Sequence, residues 1–130
     1  MFETLELTRM AQGLASYAGT RLGVIAHNIA QADTPGYKAM DLPSFQDVYA
    51  AQSGETGFAM RATRPGHVSG GLAEFAPIAA PSGGEASANG NTVSIEKEMV
   101  KMADIRQSHD MALSIYAVTR DITRAALGRK

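Results

Sequence analysis

Cysteine is absent from the chain, which excludes disulfides, thiolate nucleophiles and cysteine-ligated zinc and leaves the fold indifferent to the redox state of its compartment. Charge of either sign is not in excess: 12 lysines and arginines face 13 aspartates and glutamates. A balance of that kind lacks the clustered basic face that a phosphate backbone requires, so nucleic acid is not an expected partner. Long apolar runs are missing too. No stretch approaches the roughly 18 residues of a membrane span, and Met1 to Arg9 lacks the basic start and apolar core of a cleavable secretory signal. A soluble chain of 130 residues, one domain in size, is expected.

Catalytic and metal-binding patterns are equally scarce. His27, His67 and His109 have no paired ligand spacing. Ser108-His109-Asp110 contains the residue types of a nucleophilic triad, but helical neighbours point about 100° apart and cannot form its relay. Gly70-Gly71 and Gly83-Gly84 lack the lysine and following helix of a phosphate loop. No cofactor, metal or enzymatic activity is expected.

What the chain does have is helical periodicity at both ends. Leu7, Ala11, Leu14, Ala18, Leu22, Ile25 and Ile29 recur in steps of three and four, close to an 11-residue repeat that keeps one face of a nearly straight helix towards a partner. Met10, Tyr17 and Val24 carry a weaker second stripe. Gly13, Gly19 and Gly23 interrupt the helix, each costing about 1 kcal/mol relative to alanine. Gly19 and Gly23 share a face. They mark either a kinked helix or a place where another backbone approaches closely.

A second long helix is predicted from Ser94, a candidate cap, to about Leu127, with Glu96 and Glu98 at its start and Gly128-Arg129-Lys130 at its end. Ile95, Met99, Met102, Leu113, Tyr116, Ala117 and Leu127 form one apolar stripe; Val100, Met111, Ile115, Val118 and Ile122 form another. An acidic strip of Glu96, Asp110 and Asp121 with Ser114, and a mixed one of Lys97, Lys101, Ser108 and Thr119, lie between them. Arg106 and Arg120 sit within the first stripe as intersubunit ion pairs or as stems covering apolar surface. A helix apolar on two sides is either buried in a bundle or covered by neighbouring molecules. Two helices alone carry too little apolar surface to offset the entropy of ordering them, so neighbours are expected to complete the core.

Residues 1–38 therefore read as an N-terminal helix with its stop, 39–92 as an irregular middle, and 93–130 as a C-terminal helix, together one assembly domain. The expected fold is mainly α: two long terminal helices side by side as a coiled-coil-like pair, with at most a short β-hairpin, around Phe58–Thr63 and Leu72–Ile78, in the middle. Pro81 to Asn91 has the composition of a flexible linker.

One segment is more specific. Ala26-His27-Asn28-Ile29-Ala30-Gln31-Ala32-Asp33-Thr34-Pro35-Gly36-Tyr37-Lys38 stops the first helix. Pro35 pushes Thr34 out of helical geometry, and Pro35-Gly36 fits the centre of a type II turn. Asn28 and Asp33 are placed to bond backbone groups left open there. The segment resembles the A-N-I-A-N-A-D-T-P-G-Y-K signature of the bacterial flagellar axial proteins of the rod and hook, with Gln31 in place of the second asparagine. Ala62 to Val68, Gly90 to Met99, Ala112 to Tyr116 and Arg124 to Gly128 are similar to the proximal-rod members of that family.

The resemblance implies a structural subunit of the proximal flagellar rod, exported by the type III apparatus and polymerised in the periplasm as part of the basal body. Its terminal helices would form the wall of a hollow shaft that is also the export channel. The implied partners are copies of itself, other rod proteins, the rod-base adaptor protein, the membrane-anchored MS ring and the export gate. Phe45 and Tyr49 fit a short export-gate element of the family, or else anchor a loop on the helices. The alternative to a rod subunit is an autonomous helical adaptor or export chaperone whose stripes close on themselves.

Overall fold

A computed structural model describes residues 2–54, 78–79 and 86–128. The proposed strand at Phe58–Thr63, most of that at Leu72–Ile78, the stretch Ala62 to Val68, and the glycine pairs at 70–71 and 83–84 lie outside the described residues. Five elements follow in order: α1 (Phe2–Ala30), β1 (Met40–Asp41), α2 (Phe45–Gly54), β2 (Ile78–Ala79) and α3 (Ile95–Ala126). At 1.5 Å per residue, α1 extends about 44 Å and α3 about 48 Å. They pack against each other. The Asn28 side chain near the end of α1 meets Glu98 near the start of α3, and the core then pairs Ile25, Ala18 and Tyr17 with Met102 and Ile105. The two helices therefore run antiparallel.

The N-terminal periodicity matches the packed face closely. Ala11, Ala18 and Ile25 are buried, at intervals of seven residues, the spacing that keeps one face towards a partner helix in a coiled coil. Leu14, Leu22 and Ile29 are partly buried against the same core. Leu7 and Met10 are exposed.

On α3 the packed face differs from either apolar stripe. Its buried residues are Glu98, Ile105, Ala112 and Thr119, again seven apart. Lys101 and Ser108, which pattern alone places on a polar outer strip, are half-buried beside them, and Thr119 from the same strip is fully buried. Small side chains explain why this face packs: Ala112 faces α1, whose own buried face includes Ala11 and Ala18, and small residues let helix axes approach. The Thr119 hydroxyl donates to the Ile115 carbonyl of its own helix, so its burial leaves no polar atom without a partner.

The middle contains a helix that periodicity does not show. Ser44 caps α2, its Oγ accepting from the Asp47 amide at 3.2 Å while its hydroxyl donates to the Asp47 carboxylate. Phe45 then rests where Gly13 has no side chain, its ring edge 3.7 Å from the position a Cβ would take. The sheet among the described residues joins distant parts of the chain. Met40 pairs with Ala79 and Asp41 with Ile78, antiparallel.

Candidate functional site: a polar clasp and an outward apolar surface

Where α1 ends, the chain must satisfy the carbonyls that a stopped helix leaves open. The turn forms as its residues require: Tyr37 N–H donates to the Thr34 carbonyl at 3.3 Å, and Gly36 takes φ +71°. Residues 87–93 close over it. The buried Asn91 amide donates to the carbonyls of Gln31, Ala32 and Thr34 at 2.9, 2.7 and 2.9 Å. Its Oδ1 accepts from the Val93 amide. Gly36 N–H donates to the Asn89 carbonyl, and Thr92 N–H to that of Tyr37. Gly90, at φ +78°, lies so close that a Cβ there would stand 3.6 Å from Gly36 Cα. Part of the segment whose composition suggests a linker is thus a bonded turn. Asn91 does what sequence reasoning assigned to Asn28 and Asp33; Asp33 is exposed and takes no part in these bonds.

Asn28 has a different task. Fully buried, it presents its amide to Met40 as a neighbouring strand would, donating to the Met40 carbonyl at 2.7 Å and accepting from the Met40 amide at 3.0 Å. Its Oδ1 also accepts from the Tyr37 hydroxyl, and its Nδ2 donates to Glu98 at 3.0 Å. Every hydrogen-bonding position of the side chain is used. Helix α1, the returning chain and α3 all meet at this residue.

Beside it runs a line of alternating charge. Arg21 grips Asp41 through two bonds of 2.8 and 3.0 Å, and Lys101 lies 3.3 Å from Asp41 and 2.9 Å from Glu98. Burial pushes the Asp41 carboxyl up, but the Arg21 bond, the Leu42 amide and the charges of Arg21 and Lys101 outweigh it and hold it below its ordinary value. For Lys101, burial lowers the ammonium value while the Glu98 bond and the Asp41 charge raise it, with a net rise. Glu98, expected near the positive end of the helix dipole, is also buried, its carboxyl group bonded by Asn28 and Lys101. Ser94 stands at the cap position with extended backbone, but its side chain makes no capping bond.

The rest of the proposed interface is arranged differently. Ile95, Met99, Val100, Met111, Leu113, Val118, Ile122 and Leu127 of α3 are exposed, as are Leu7 and Met10 of α1. Val100 and Met99 keep about 62% and 61% of their surface open. Met102 and Tyr116 are half-buried. Gly19 and Gly23 have nothing within 4 Å of where a Cβ would be, so no part of the described chain uses the space they leave. The Phe45 and Tyr49 rings lie tilted against each other on α2 with centroids 5.6 Å apart, and Phe45 meets Tyr17 at 5.5 Å. Among the described residues no group of three histidines or carboxylates could share a metal ion, and no helix is long and apolar enough to cross a membrane.

Sequence reasoning missed Arg21, Asp41, Asn91 and Lys101. The signal for Asn91 was its place between Gly90 and the start of α3, where a buried amide can close an opposing helix end; for the ion pairs, no local pattern pointed to them.

Two long antiparallel helices clasped at one end by polar side chains, with large apolar groups turned outward along α3, define a structural helical-hairpin protein. No protein-family model matches the chain. It is 31% identical over 119 residues to the flagellar basal body rod protein FlgB of Agrobacterium fabrum, covering 87% of this chain and 86% of that protein. It is 34% identical over 97 residues to the FlgB of Aeromonas hydrophila, covering 68% of this chain and 70% of that one. The chain belongs to the flagellar basal body rod protein FlgB family. That makes it a structural protein of the flagellar rod, and its relatives point to a non-enzymatic role.

Proposed function

We propose that this chain is a building block of the proximal rod, in which copies and other rod proteins cover the outward apolar stripes and build a hollow shaft and export channel. The carrying observation is the placement on α3: apart from Ile105 its buried residues are polar or small, while most of its large apolar side chains are exposed. Exposing so many apolar side chains is unfavourable in a lone molecule and favourable where a neighbour covers them. The interface on this reading comprises Leu7, Ile95, Met99, Val100, Met111, Leu113, Val118 and Ile122, with Gly19 and Gly23 admitting a neighbouring backbone. Ala11, Leu14, Ala18, Leu22, Ile25 and Ile29, with Met102 and Tyr116, hold the hairpin that presents it, and the Asp33–Tyr37 turn sets where its helices end.

The rod-base adaptor protein, the MS ring and the type III export gate are the further neighbours this role requires, with assembly in the periplasm after export. Phe45 and Tyr49 would reach an export gate only when α2 is undocked, because Phe45 packs on Tyr17 in the folded chain.

The test is replacement of Val118 and Ile122 together by serine in cells lacking the native copy. Loss of swimming and of basal-body incorporation, with unchanged helicity and export of the variant, is the expected result. Normal rods from that variant would refute the reading. A self-contained adaptor or chaperone would instead remain monomeric at every concentration and melt at a temperature independent of dilution.

A further inference from the structure

Three asparagines occur in the chain, and Asn89 alone precedes a glycine. Without a Cβ on the following residue, the main-chain nitrogen can swing onto the asparagine side-chain carbon with little hindrance. We infer that Asn89 is a spontaneous deamidation site that the closed clasp keeps unreactive, and that its conversion to isoaspartate prevents the clasp from closing again.

Asn89 is exposed, so water and base reach it, but both reacting groups are occupied. The would-be nucleophile, Gly90 N–H, donates to the Ser87 carbonyl at 2.7 Å. The would-be electrophile is tied through Oδ1, which accepts from the Asn91 main-chain N–H at 3.0 Å. Attack needs the Gly90 bond broken and the Asn89 side chain turned out of the orientation that the Oδ1 bond holds, which amounts to local opening of the turn.

Once open, the Gly90 nitrogen gives its proton to solvent base and bonds to Asn89 Cγ. The Cγ–Nδ2 bond breaks and ammonia leaves, taking up a proton. Water then adds to one carbonyl of the cyclic imide and opens it, giving aspartate or isoaspartate and restoring the N–H. No oxidant or cofactor is involved. Isoaspartate routes the main chain through one extra methylene between residues 89 and 90. That displaces the Asn89 carbonyl bonded to Gly36 N–H and the Gly90 backbone packed against Gly36. Chains whose clasp stays shut would be preserved, and chains held open would be retired irreversibly.

The experiment ages the purified full chain at mildly alkaline pH, folded and in denaturant, and measures isoaspartate by methyltransferase labelling and peptide mass mapping. Folded chain is expected to react about tenfold or more slowly than unfolded chain, in proportion to the fraction of time the turn is open. Asn91→Ala, with its helicity checked by circular dichroism, is expected to approach the unfolded rate. Should that variant not fold, the two wild-type arms still decide. Isoaspartate-bearing chain is expected to lose hydrogen-exchange protection at the Gly36 and Thr92 amides. Equal rates folded and unfolded, a helical Asn91→Ala that ages as slowly as wild type, or retained protection in the modified chain would each overturn the inference.

Discussion

The clasp and the outward surface of the helical hairpin treat their side chains in opposite ways. At the clasped end, Asn28, Asn91 and Glu98 are buried polar groups with their bonding positions filled from within the chain. Along the outward surface of α3, Met99, Val100, Met111, Leu113, Val118, Ile122 and Leu127 are apolar groups left in the open. Polar bonds demand geometry and so specify one register; apolar contact demands only cover. The contrast suggests a division of labour in which the clasp sets the alignment of α1 on α3 and the open surface takes whatever neighbour fits.

The largest difference between the two is expected from Asn91→Ala. It removes three bonds to the turn that follows α1 and leaves the Ala32 carbonyl without its donor, and a loss of ~3 kcal/mol in chemical denaturation is expected. A loss under about 1 kcal/mol would mean that water replaces the amide and the clasp is not the fixed end. Next comes the coupling between Asn28 and Glu98. A double-mutant cycle with alanine at each is expected to give about 1 to 2 kcal/mol, since one side chain leaves the other buried and underbonded.

Acid should act on the clasped end first. Because Asp41 ionises more readily in the folded chain, the unfolded state binds more protons at low pH. Its stabilisation holds above the ordinary aspartate value of 3.8 and is lost as pH falls through the lower folded value. Asp41→Asn is expected to flatten that acid limb in pH-dependent melting. An unchanged limb would place the acid sensitivity elsewhere.

Smaller effects of opposite sign belong to α1's exposed glycines. Gly19→Ala meets open space, so it is expected to stabilise the lone chain by about 0.5 to 1 kcal/mol. If the same variant fails to enter rods, a neighbouring backbone occupies that gap in the assembly. The smallest effect on the monomer is expected from Val118→Ser and Ile122→Ser, each within about 0.5 kcal/mol by thermal melting. A large loss from either would show that these side chains already serve the single chain.

Much of this architecture is legible from residue order. Ala11, Ala18 and Ile25 mark the packed face of α1 because that face is apolar or small, and the Pro35-Gly36 turn follows from the only backbone angles those residues favour together. The packed face of α3 was not legible in the same way. Periodicity finds large apolar residues whichever way they face, and on α3 most of them do not face α1. Helix α2 was not legible, because its apolar content is too thin for a stripe.

Residue order by itself determined two long helices, where the first one stops, and a surplus of apolar surface, since these follow from local angles and spacing. Only the tertiary structure decided which face of α3 meets α1, that Asn91 closes the opposing helix end, and that Glu98 is buried. Those depend on residues some 60 to 70 positions apart, where no local preference reaches and only the shared geometry of the folded chain selects the partner.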